Sequence, residues 1–153
     1  MIVLDYLIAN EDRHQNNFGW VRDANTLEWI EAVPTFDSGS SLGYDKLASS
    51  ILAGRRVECK PFKRTHEEQL KLVTSFDWVD FDSLHGLEDE IRAIFDQAGE
   101  YMEPARKDAV CSSVSHRIER LMGLAQGQRN QMDDQTQDVK KDAAADYSMK
   151  MDM

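Results

Sequence analysis

Behind Pro104, the residues Val110, Val114, Ile118, Leu121 and Ala125 recur at spacings of four, four, three and four. That period matches the turn of an α-helix, so the segment presents one apolar stripe and needs other elements to cover it. Two more stretches share the spacing. Leu70, Val73 and Phe76 follow a helix start at Thr65 with Glu67 and Glu68, and Leu87, Ile91, Ile94, Phe95 and Ala98 precede a stop at Gly99. Each stripe reads as ordinary core. Residues 2–9 (IVLDYLIA) are too apolar for a surface loop and read as the end of a buried helix that closes at Asn10. Phe18 to Val21 and Leu27 to Val33 have the composition of two short strands, with Asp23-Ala24-Asn25 as the turn between them. Pro34 stops the second strand, and the Ser/Gly-dense stretch Asp37 to Gly43 reads as irregular loop. The expected class is mainly α with a small β-hairpin.

A chain of 153 residues with 41% apolar content suits one domain with one core. That domain is expected over residues 1–125. Past Gly127 the sequence loses Ile, Leu, Phe and Trp, so 126–153 reads as a polar tail, disordered or transiently helical. With 18 basic residues against 28 acidic ones the net charge is −10. Wrapping nucleic acid needs a clustered basic face, and no direct nucleic-acid binding is expected. No apolar run approaches the roughly 20 residues of a membrane span, since Met1 to Ala9 is interrupted by Asp5. The same opening lacks the basic start and small-residue cleavage pattern of a secretory signal, which points to a cytoplasmic protein without a membrane partner. Cys59 and Cys111 form no CxxC pattern and read as reduced thiols. His66, His85 and His116 read as solvated or capping side chains.

Chemistry concentrates in Asn10-Glu11-Asp12-Arg13-His14-Gln15-Asn16-Asn17-Phe18-Gly19 and in Phe36-Asp37-Ser38-Gly39, where polar residues crowd between apolar elements. Asp12 and Asn17 stand five apart, the spacing of the Asp and Asn in the protein-kinase catalytic loop. Asp37 follows after the hairpin. Phosphoryl transfer would use these residue types for definite reasons. Mg²⁺ takes hard oxygen ligands such as the Asp37 carboxylate and the Asn17 amide, and Asp12 would orient the attacking hydroxyl and accept its proton. Arg13 and His14 would stabilise the loop or the departing phosphate charge, and Asn10 would brace Asp12 by a hydrogen bond. Asp and Asn also cluster in loops because their side chains mimic turns, so the Asp-Asn spacing alone carries little. The combination of an apolar helix end, Asn-x-Asp-Arg-His-x-x-Asn, a hairpin and Asp-x-Gly carries more.

The segments Leu7 to Gly19 and Val33 to Leu42 resemble the catalytic region of HipA-like serine/threonine kinases. The Asp-Arg-His-x-x-Asn element is also similar to that of phosphoinositide lipid kinases. The resemblance covers Met1 to about Leu42, and the helical remainder to about Ala125 is compatible with the family's C-terminal lobe. It implies a catalytic loop at 10–17, a metal-binding loop at 36–43 and a helical body at 65–125. By that resemblance Asp12 matches the catalytic base, with Arg13 and His14 beside it in the catalytic motif. Asn17 and Asp37 match the ligands of the metal, and Asn10 joins them in the cofactor-binding set. The implied cofactors are ATP and Mg²⁺, and the implied acceptor is a protein Ser or Thr.

The family places its nucleotide-binding lobe ahead of the catalytic loop. Here 11 residues precede Asp12, no glycine forms a GxGxxG pattern, and the first lysine is Lys46. The chain therefore reads as the C-terminal helical lobe of a HipA-like kinase with the N-lobe absent, with little activity alone. Its expected partners are that missing N-terminal lobe or an upstream-encoded segment, a protein substrate, and an antitoxin-like protein. The alternatives are a non-catalytic protein-binding module or toxin–antitoxin-type regulatory fragment, and a lipid-kinase fragment. The acidic balance weighs against the last, because anionic membranes attract basic segments.

Overall fold

The computed structural model of the protein describes residues 1–54 and 57–151, with side chains described through Met132. The chain forms helix α1 (Ile2–Leu7), strands β1 (Trp20–Arg22) and β2 (Trp29–Ala32), then helices α2 (Ala48–Leu52), α3 (His66–Leu70), α4 (Leu87–Asp96) and α5 (Pro104–Met151). The architecture is mainly helical with one antiparallel hairpin. No helix among the described residues is long and apolar enough to cross a membrane.

The apolar stripe of α5 is the spine of the core. Val110, Val114, Ile118, Leu121 and Ala125 are all buried, packed with Val3, Tyr6 and Leu7 of α1, Leu70 of α3, and Phe76. Leu87, Ile91 and Phe95 bring α4 against this cluster, whereas Ile94 faces solvent. Beyond the stripe, α5 continues to Met151 through the segment expected to be disordered or transiently helical. No Gly or Pro follows Gly127, and Gln, Lys, Ala and Met are good helix formers, so nothing in the sequence interrupts the backbone ladder.

Two other expectations shift. The helix that starts at Thr65 is only five residues long: Thr65 caps it by accepting from the Glu68 amide, and Val73 and Phe76 lie in the turns beyond. Side-chain bonds to the chain replace helix there, with Ser75 Oγ accepting from the Asp77 amide at 3.0 Å and Gln128 donating to the Val73 carbonyl at 3.1 Å. Both hairpin strands are shorter than expected, and the second begins only at Trp29 because Leu27 adopts a left-handed φ of 63°, outside the extended region of a strand. Asp23 closes the turn by accepting from the amides of Asn25 and Thr26, both at 2.8 Å.

His66 is not solvated. It is buried, with its ring edge-on to Tyr6 at 6.3 Å between centroids. Burial, reinforced by the nearby Arg117 charge, lowers its pKa from 6.5 to about 4. Above pH 6.5 the imidazole is neutral in both folded and unfolded chains. As pH falls from 6.5 toward 4, the unfolded chain takes up the proton first and stability is lost. Between pH 7 and pH 4.5 the unfolding free energy should drop by roughly 2–3 kcal/mol more in the parent than in His66→Leu, as read by urea denaturation at the two pH values.

Candidate functional site

The site begins with a carboxylate in an apolar helix. Asp5 sits among Ile2, Val3, Leu4, Tyr6 and Leu7 and is buried. Its counter-charge is Arg13, which has 0% exposure. Arg13 Nε donates to both Asp5 oxygens, at 3.2 and 3.0 Å, and Nη2 donates to Oδ1 at 2.8 Å. The remaining donors of the guanidinium reach across to the second loop: Nη1 to the Phe36 carbonyl at 2.5 Å and Nη2 to Ser38 Oγ at 3.1 Å. One planar cation thus ties α1, the loop 10–17 and the loop 36–43 together.

The backbone follows the same join. Ala9 turns the chain out of α1 with a left-handed φ of 52°, and Asn10 folds back so that its amide donates to the Asp5 carbonyl at 2.9 Å. Two backbone bonds then bridge the loops, Glu11 N–H to the Ser40 carbonyl at 3.0 Å and Leu42 N–H to the Ile8 carbonyl at 2.7 Å. At the far end of the second loop, Gly43 takes a φ of 61° with its Cβ position 2.9 Å from Ile51 Cγ1, so only glycine fits. Arg106 of α5 donates to the carbonyls of Gly43 at 2.6 Å and Lys46 at 2.6 Å, and this fastens the loop to the core helix.

Within this frame Asn17 and Asp37 meet. Asn17 is buried at the end of a short 3₁₀ turn over Gln15–Asn17; its Oδ1 accepts from the His14 amide at 3.1 Å and its Nδ2 donates to Asp37 Oδ2 at 2.5 Å. Asp37 holds a left-handed φ of 55°, a conformation Asp tolerates better than most residues. The Asp37 carboxylate is a hard donor of the kind Mg²⁺ takes, whereas the Asn17 amide turns its nitrogen to Asp37 and its oxygen to the His14 amide, so it fits the ion only after the amide turns over.

Asp12 lies at the surface. Its carboxylate accepts from Lys60 Nζ at 2.6 Å, and that bond together with the lysine charge holds its pKa below the usual carboxylate value. The Lys60 backbone is itself anchored, since Gln69 Nε2 donates to its carbonyl at 2.7 Å. Asn10 braces Asp12 as expected of it, with Oδ1 accepting from the Asp12 amide at 3.3 Å while Nδ2 donates to Asp5 at 3.0 Å.

Two of the expected site residues lie wholly inside the fold. Asn10, expected in the cofactor-binding set, is wholly enclosed with both ends of its amide engaged by the chain. Arg13, expected beside the base in a catalytic role, is a positioning residue: it has no exposed surface and every contact above is internal. His14 is half-buried, and its main chain rather than its ring holds Asn17. Sequence reasoning missed Asp5 and Lys60. A lone carboxylate inside IVLDYLIA, eight residues before an arginine, was a signal for the first; Lys60 lies 48 residues from Asp12 and gave none.

Removing one member of a buried ion pair leaves the other uncompensated. Arg13→Met should therefore cost about 3–5 kcal/mol, and the double variant Asp5→Leu/Arg13→Met should recover much of that loss, measured by urea denaturation in a double-mutant cycle.

Comparison of the chain with protein-family models, with curated proteins and with solved structures finds no match.

Proposed function

We propose that the chain is the catalytic-loop portion of a HipA-like kinase, the C-terminal helical lobe that transfers the ATP γ-phosphate to a protein Ser or Thr once completed by a nucleotide-covering lobe. The observation that carries this reading is the contact of the Asn17 amide with the Asp37 carboxylate at 2.5 Å, made across two loops that Arg13 pulls together. Bound Mg²⁺ would neutralise charge developing on the phosphate oxygens. The chain's own residues position the reactants. Asp37 offers the metal a carboxylate oxygen, Asn17 would add its amide oxygen on turning that group away from the His14 amide, and Asp12, exposed and braced from below by Asn10, presents a carboxylate to an acceptor hydroxyl. Asp12 carries its charge at neutral pH as any free aspartate does, and the Lys60 contact that lowers its pKa further favours that ionised form. Lys60 sits against it as a cation that a transferring phosphate would meet.

A second reading, a non-catalytic protein-binding module, is favoured by the hairpin, which exposes Trp20, Trp29 and Ile30 at 60% or more. In the kinase reading the same surface is a seat for the completing lobe. Asp12→Ala separates the two, because a binding module keeps its partner and its biological effect while a kinase loses the effect.

Calorimetric titration with ATP should show binding that depends on Mg²⁺ and weakens by about tenfold or more in Asp37→Asn. ATP binding indifferent to Mg²⁺, or equal in parent and variant, would count decisively against the metal role.

A further inference from the structure

We infer that the cavity between α1, α2 and α5 is a binding site for a small amphipathic monoanion, a carboxylate carried on an apolar body. The cavity holds about 630 Å³, within the range of small-molecule sites. Much of its wall is apolar, contributed by Leu42, Ile51, Val110 and Val114 among others.

The charged residues on the wall decide what else it wants. Glu11 is paired with Lys46 at 3.3 Å, Glu58 with Arg64 at 2.6 Å, and Glu67 with Arg120 at 3.6 Å. Arg117 is different. Among the described residues no carboxylate lies within ion-pair distance of it; its guanidinium stacks over the Tyr6 ring at 5.1 Å, and Nη1 donates to the Tyr6 carbonyl at 2.6 Å. A guanidinium has five N–H donors, so most of them remain for another acceptor. It is also half-buried, and that burial pushes its pKa down. A partly desolvated cation with no carboxylate in ion-pair contact is costly, and an anion entering the cavity would relieve the cost.

Charge balance sets the valence. Among the described residues at this end, Arg117 and Arg120 against Glu67 leave one positive charge, because buried His66 stays neutral at pH 7. A single carboxylate cancels it, received by Arg117 in the planar two-bond geometry the group favours. The apolar walls then take the rest of the molecule. Nothing in this argument uses Asp12, Asn17 or Asp37, so the inference stands apart from the kinase reading.

Sodium decanoate is a suitable probe, with decan-1-ol as its uncharged counterpart. Isothermal titration of the full chain at pH 7 should give saturable one-to-one binding of decanoate, about tenfold or more tighter than the alcohol. Arg117→Met should weaken decanoate binding by a similar factor, and Arg117→Lys should restore much of it. Should Arg117→Met fail to fold, Arg120→Gln provides the second test: Arg120 is exposed, and its loss removes the net positive charge, so binding should fall several-fold. Absence of saturable binding to the folded chain, equal binding of acid and alcohol, or full binding by the folded charge variants would each overturn the inference.

Discussion

Arg13 carries a permanent charge at a point where no water reaches it, and the surroundings must therefore supply every partner it has. Asp5 supplies the counter-charge from α1, and the Phe36 carbonyl and Ser38 hydroxyl supply acceptors from a loop more than 20 residues away. None of these groups is optional for the others. Without Arg13, Asp5 would be a bare carboxylate inside an apolar helix, and the two loops would lose their common anchor. The core packs α1 onto α5, but packing alone is indifferent to how the loops lie. The ion pair is what converts a helical bundle with a hairpin into a fixed arrangement of Asn17 and Asp37.

Helices were legible where period and burial agree. The α5 stripe, the start at Thr65 and the turn at Gly99 follow from residue spacing and from the backbone freedom of glycine. The loop cluster was legible as a place, because apolar elements bracket a dense run of Asn, Asp, Arg and His. Roles within it were less so. Sequence spacing cannot tell a guanidinium that faces substrate from one that faces inward, and Arg13 turned inward because a buried carboxylate lay one helix turn from the loop. Lys60 beside Asp12 and His66 beneath Tyr6 depend on tertiary packing between segments that share no local pattern. The helix beyond 125 was legible only as a disordered or transiently helical tail for a different reason: with no apolar stripe to read, only backbone propensity remained.

Asp12 and Arg117 show two ways the fold treats a charge. Asp12 is exposed and paired, so solvent screens it and Lys60 biases it toward the ionised form. Arg117 is half-buried and has no carboxylate in ion-pair contact among the described residues, and the aromatic face of Tyr6 and one carbonyl only partly replace one. In the readings proposed above, the first meets a reactant at the surface and the second a ligand within the cavity.

The two backbone bridges, Glu11 to Ser40 and Leu42 to Ile8, lie beside residues held in left-handed conformations, Ala9 at a φ of 52° and Leu42 at 56°. Neither conformation is one these side chains adopt freely, and each costs on the order of 1–2 kcal/mol that only the bridged state offsets. Opening either loop would release both strains together, so the loops have little reason to open separately. In the language of amide exchange they form one cooperative unit, and the protection of the Glu11 and Leu42 amides would rise and fall together as a gauge of whether the site is assembled.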